Sequence, residues 1–182
     1  MMFQKRIANL KLFLIPIAAL LLLGGIFIFI FTNGRPKTVA TYAQVWSAVE
    51  KHGIAPTDST DLFRAAWNDK NDSKGESLLS ALTFIHKDSG VNFNFFVFKD
   101  DTAAHAARIS YWRYLRYDSG RYGSRSTNQE YSSSASNFTV CWVKYDSFYT
   151  VCSRVGNTVI YAEANADSNE LVKEILKEIG YQ

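Results

Sequence analysis

The stretch "FTVCWVKYDSFYTVCSRVGNTVIYAEAN" (138–165) reads as three β-strands laid end to end. β-Branched and aromatic residues fill it, and two polar dipeptides, Asp146-Ser147 and Gly156-Asn157, interrupt it at even spacing. That pattern predicts strands at about 137–145, 148–155 and 158–164 joined by tight turns, an antiparallel meander. A turn at Asp146-Ser147 also sets the register: Tyr145 faces Phe148, Val143 faces Thr150, and Cys141 faces Cys152.

Directly opposed residues have Cβ atoms ~4.5–5.5 Å apart, close to what a disulfide needs. A four-residue loop keeps these partners and makes the cysteines a non-hydrogen-bonded pair, the closer kind, so the wider turn is expected. The pair lacks the C-x-x-C spacing of redox motifs and the His or Cys partners of a zinc site. A structural Cys141–Cys152 bridge is the expectation, with two free buried thiols as the alternative. A loop this short would contribute about 3 kcal/mol at most.

Working outward, "LSALTFIHK" and "VNFNFFVFK" flank "DSG" (88–90) and predict a hairpin. In its second strand Val91, Phe93, Phe95 and Val97 share one face, while Asn92, Asn94, Phe96 and Phe98 share the other. Asp100 or Asp101 then caps a helix through 102–117, whose Ala103, Ala104, Ala106 and Ala107 permit close approach to a sheet. Residues 42–53 form a helix with Thr41 as N-cap and Tyr42, Val45, Trp46 and Val49 on one face; 58–67 reads as a second. Residues 68–77 and 118–136 read as loops. The last helix, 168–179, is expected to start on a capping box of Asp167 and Glu170 and to bury Leu171, Val172, Ile175, Leu176 and Ile179. The fold class is therefore α+β: a hairpin plus a three-stranded meander in one antiparallel sheet, with helices packed on one of its faces.

The N-terminus predicts location. Residues 12–31, "LFLIPIAALLLLGGIFIFIF", carry no charge, and at ~1.5 Å per residue about twenty residues cross the ~30 Å hydrocarbon core. The run exceeds the ~7–15 residues of a signal-peptide core and ends without a small-x-small site. An uncleaved signal-anchor is favoured over a cleaved signal. Lys5, Arg6 and Lys11 precede the span, which places the N-terminus in the cytoplasm and the rest outside. The expected organisation is a cytoplasmic tail at 1–11, a transmembrane helix at 12–32 in the lipid bilayer of the cell membrane, a stalk at 33–40 and an extracytoplasmic domain at 41–182.

Charge narrows the partner classes. All 17 acidic residues and 17 of the 20 basic ones lie beyond the span, so the net +3 belongs to the cytoplasmic flank and gives no argument for nucleic-acid binding. His52, His86 and His105 fall on separate elements without H-x-x-H or H-E-x-x-H spacing, so neither a metal nor a catalytic set is indicated. Lys99, Asp100 and Asp101 read as a capping run. No G-x-S-x-G, P-loop or Gly-rich dinucleotide signature is present, and no cofactor is called for.

The remaining signal is "RISYWRYLRYDSGRYGSR" (108–125), where arginines and aromatics interleave. Arg108, Arg113, Arg116, Tyr117, Arg121, Tyr122 and Arg125 are the candidate contact residues for a protein or an anionic envelope polymer. The plain alternative is an amphipathic helix with Ala104, Tyr111 and Leu115 inward and its arginines solvated. "NDS" at Asn71 and "NFT" at Asn137 match glycosylation acceptors, relevant only in a eukaryotic secretory pathway.

Taken together, "VWSAVEKHGIAPTDST", "VNFNFFVFKDDTAAHAARISY" and "YTVCSRVGNTVIYAEANADSNELVKEILKEIGY" resemble an uncharacterised group of membrane-anchored extracytoplasmic α+β domains of Gram-positive bacteria. The resemblance covers most of 42–182, rests on structural positions and does not include the cysteine pair. It implies an anchored outer domain and supplies no catalytic or ligand residues. The expected function is non-enzymatic binding of an envelope or surface partner; the alternatives are an enzyme acting on envelope material and a structural accessory subunit of a membrane complex.

Overall fold

A computed structural model describes residues 36–70, 72–114, 129–145 and 147–181. Among them no helix is long and apolar enough to cross a membrane, and the span expected at 12–32 lies outside them.

The elements run α1 (Tyr42–Lys51), β1 (Thr57–Asp58), α2 (Thr60–Asn68), α3 (Lys74–Ser77), β2 (Leu78–His86), β3 (Val91–Phe98), α4 (Asp101–Arg113), β4 (Gln129–Ala135), β5 (Phe138–Tyr145), β6 (Phe148–Val155), β7 (Thr158–Asn165) and α5 (Glu170–Glu178). Among the described residues, seven strands form one antiparallel sheet in the order β1-β2-β3-β7-β6-β5-β4. The fold is α+β, as the strand pattern implied.

Two expectations about the sheet are corrected. Residues 118–136 were expected as loop, yet Gln129–Ala135 pairs along β5 as a fourth meander strand. Its serine-rich sequence hides it, because strand residues at a solvated edge need little apolar character. Helices were also expected on one face, and they cover both. Phe93 and Phe95 point into a core shared with Val45 and Val49 of α1 and Ile175 and Leu176 of α5. Phe96 and Phe98 point the other way, into a core with Ala104 and Ala107 of α4 and with Phe63 and Trp67 of α2. A strand with large apolar residues on both faces needs a layer on each side.

Local chemistry sets the helices. Thr41 caps α1 in a full capping box with Gln44. Asp100 caps α4, its carboxylate accepting from Ala103 N at 2.8 Å. Ala104 and Ala107 are completely buried, which brings the α4 backbone down onto β3, β6 and β7. The capping box expected at Asp167 is absent: α5 starts at Glu170 after Asn169, with no side-chain cap, because 166–168 continue the turn out of β7. Residues 74–77 form the short α3, and Gly75 lets it meet α2: a Cβ there would lie 1.9 Å from Asn68 Oδ1.

The chain is held against the domain ahead of α1. Asn137 Nδ2 donates to Lys37 O at 2.7 Å, and Lys37 N donates to Asn137 Oδ1 at 3.2 Å. Both ends of the Asn137 amide are thus engaged in structure, which removes it as a free glycan acceptor; Asn71 lies outside the described residues.

Candidate ligand-binding groove

Side chains alternate along β4, β5 and β6, so Gln129, Tyr131, Trp142, Lys144 and Tyr149 share the face that carries α1 and α5. α5 packs on this face through Val172, Ile175 and Leu176. The exposed remainder of that face is a groove of about 480 Å³, floored by strand residues and walled by Asn169, Lys173 and Leu176. Tyr181, buried at the end of the chain, closes its inner side.

Three rings form a row on the floor. Tyr131 stacks on Trp142 with centroids 6.1 Å apart and planes at 19°, and Trp142 meets Tyr149 at 5.7 Å and 36°. The row runs from Tyr131, 44% exposed on the edge strand, to Tyr149, buried beneath α5. Lys173 Nζ stands 5.7 Å above the Tyr149 ring and pairs with Glu170 at 2.8 Å. Burial, then the nearby Glu170 charge, push the Tyr149 phenol up to about 12, so it stays neutral at physiological pH. A larger cavity of about 580 Å³ lies between residues 38–40, α1 and the end of α5, but its lining includes no aromatic ring.

The Arg/Tyr segment divides. Arg113 is exposed at the end of α4, while Arg116, Tyr117, Arg121, Tyr122 and Arg125 lie outside the described residues. Arg108, expected on a contact surface, instead points down onto the sheet: its Nη1 lies 3.6 Å from Cys141 Sγ, and its buried Nε has no hydrogen-bond partner among the described residues. Tyr111 also faces inward, stacked on Phe96 and Tyr161 at 5.6 and 4.8 Å.

The expected register holds, with Tyr145 opposite Phe148 and Val143 opposite Thr150. Pairing up to Tyr145 and Phe148 leaves a two-residue connection, shorter than the loop expected. Cys141 and Cys152 fall opposite each other in this register, but the structure carries them as free buried thiols. The ladder is interrupted beside them: Cys141 N donates to Ser153 Oγ at 3.1 Å, and Cys141 Sγ donates to the Cys152 carbonyl. The hydrogen bond from the neighbouring Cys152 side chain holds the Cys141 thiol below its ordinary range against the opposing effect of burial, and the Arg108 charge adds to it. The Cys152 thiol is pushed well up by its side-chain hydrogen bond to Cys141 and by burial.

The histidines stay apart. His52 faces Glu174 and Glu178 at 3.7 and 3.5 Å, His86 bonds Ser89, and His105 is exposed on α4. Asp101 faces Arg154 at 3.8 Å. None of them lines the groove. The groove itself was missed in the sequence; its only signal was the alternation Val140, Trp142, Lys144, which a covered strand would show equally.

No protein-family model matches the chain, and no curated protein matches it. Among solved structures it is similar to a GTP-binding regulator from Thermotoga maritima, at 13% identity over 81% of this chain and 93% of that one, with a TM-score of 0.40. At that score the likeness carries no argument about function.

Proposed function

We propose that this chain is a single-pass, membrane-anchored protein whose extracytoplasmic α+β domain binds an envelope or surface partner without catalysing a reaction. The uncharged run at 12–31 and its basic flank support the anchor and orientation. The observation that carries the binding reading is the groove, where three aromatic rings in a row lie beside two lysines. Apolar rings with a few convergent polar groups are the ordinary composition of a ligand site.

The outer location also bears on the cysteines. In an oxidising compartment two thiols in cross-strand register close to a disulfide, so the mature domain carries a Cys141–Cys152 bridge in this reading. Protease treatment of intact spheroplasts expressing the full chain tests the location. The domain is expected to be digested without lysis; a domain protected until the membrane is broken overturns the proposal.

A further inference from the structure

The groove has a chemistry that names a ligand class, and this step rests on the reading of it as a binding site. We infer that its ligand is an anionic saccharide chain, one bearing carboxylate or phosphate groups. Sugar rings present flat C–H faces, and flat aromatic faces are what the floor offers. Tyr131 and Trp142 are partly exposed and nearly parallel, with centroids 6.1 Å apart, and the buried Tyr149 supports Trp142 from beneath α5. The volume of about 480 Å³ falls within the ~300–1,000 Å³ of small-ligand sites.

Hydroxyl partners and charge are both supplied. Gln129 and Asn169 line the groove; the Asn169 amide nitrogen already donates to Ala166 O at 2.8 Å, which leaves its carbonyl oxygen as an acceptor for a sugar hydroxyl. Among the described residues, the charged ones lining the groove are Lys144 and Lys173, both cationic. The carboxylate next to it, Glu170, is paired with Lys173 in an i,i+3 ion pair whose carboxylate side is 75% exposed. Such exposed pairs contribute little, so an incoming anion competes for the lysine. Glu130 belongs to the other face of β4, by alternation from Tyr131. The site is therefore selective for negative charge on a ring-bearing ligand. A protein strand adding to the exposed β4 edge is the competing occupant, but it would engage the backbone and leave the aromatic row unused.

The test is calorimetric titration of the full-length protein in lipid nanodiscs. The probes are a galacturonate hexasaccharide, a sugar-phosphate oligomer and a neutral chitin hexasaccharide; the first two arms separate the carboxylate source from the phosphate source. Binding of one or both anionic probes is expected. It should weaken about ten-fold in Trp142→Ala, and by a similar factor in Lys144→Gln/Lys173→Gln and on raising salt. Arg113→Glu, on the far side of the sheet, should leave it unchanged. Tyr131→Ala, at an exposed edge position, gives the same readout if the tryptophan variant fails to fold.

Equal binding of the neutral probe, unaffected by the lysine changes, overturns the anionic assignment while leaving the groove as the binding site. Binding that survives both Trp142→Ala and Tyr131→Ala but is lost in Arg113→Glu overturns the groove and moves the site to α4. Failure of all three probes overturns the saccharide class and leaves the location of the domain to be judged by the protease experiment.

Discussion

Arg108 lies across Cys141, its Nη1 3.6 Å from the sulfur, while its own carbonyl oxygen accepts from Cys152 Sγ at 3.5 Å. One residue of α4 thus touches both cysteines of the hairpin beneath it. The arginine that dominates the polar reading of α4 is a structural residue.

Replacing it separates packing from charge. Arg108→Met keeps the aliphatic length and removes a buried Nε that lacks a partner among the described residues. Urea denaturation is expected to place Arg108→Met within about 1 kcal/mol of the parent, or above it. Arg108→Ala loses the packing as well and should cost about 1–3 kcal/mol. Equal losses in both variants would mean that the charge itself stabilises the fold.

The close approach of α4 makes a second prediction. Ala104 and Ala107 have no exposed surface and sit against β3, β6 and β7. Ala107→Leu has no space to fill and is expected to destabilise the domain by about 1–3 kcal/mol, read from the thermal midpoint. Ala106→Leu, on the exposed side of the same helix, should change it by no more than about 0.5 kcal/mol.

Gly156 holds the β6–β7 turn with φ of +53°, and a Cβ on it would lie 2.5 Å from the Val39 side chain. Gly156→Ala combines a left-handed backbone with that clash and is expected to cost about 1–2 kcal/mol or more in urea denaturation. If Val39→Ala in the same chain recovers part of the loss, the clash contributes; if it recovers none, the backbone alone is responsible.

The cysteines are checked by mass. Protein prepared from the outer face of the membrane is denatured without reductant and alkylated. A Cys141–Cys152 bridge predicts no added alkyl group, and two after reduction. Two groups added before reduction would show the thiol pair of the structure to be the mature state.

These residues also mark where sequence reading ends. Register was legible because a short turn leaves only arithmetic: once Asp146-Ser147 is the connection, Tyr145 must meet Phe148 and Val143 must meet Thr150. The two-layer helix packing was half legible, since Phe96 and Phe98 lie on the opposite side of β3 from Phe93 and Phe95. Asp167 misled because "DSNE" satisfies a capping box as a string, whereas hydrogen bonding out of β7 delays the helix to Glu170. The groove was not legible at all. It lies between a floor of Tyr131 and Trp142 and a wall of Lys173 and Leu176, and which strand meets which helix is a tertiary fact. Arg108 and Arg113 look alike in the sequence, yet five positions along a helix turn one inward and leave the other in water.

The proposed binding occurs on the aromatic row. Hydroxyl-radical footprinting of the full-length protein, with and without the galacturonate hexasaccharide, addresses it most directly. Protection of Tyr131 and Trp142 is expected, with Trp46 and Trp67, which lie outside the groove, unchanged. Protection confined to α4 around Tyr114, with Trp142 oxidised at the same rate in both samples, would contradict it.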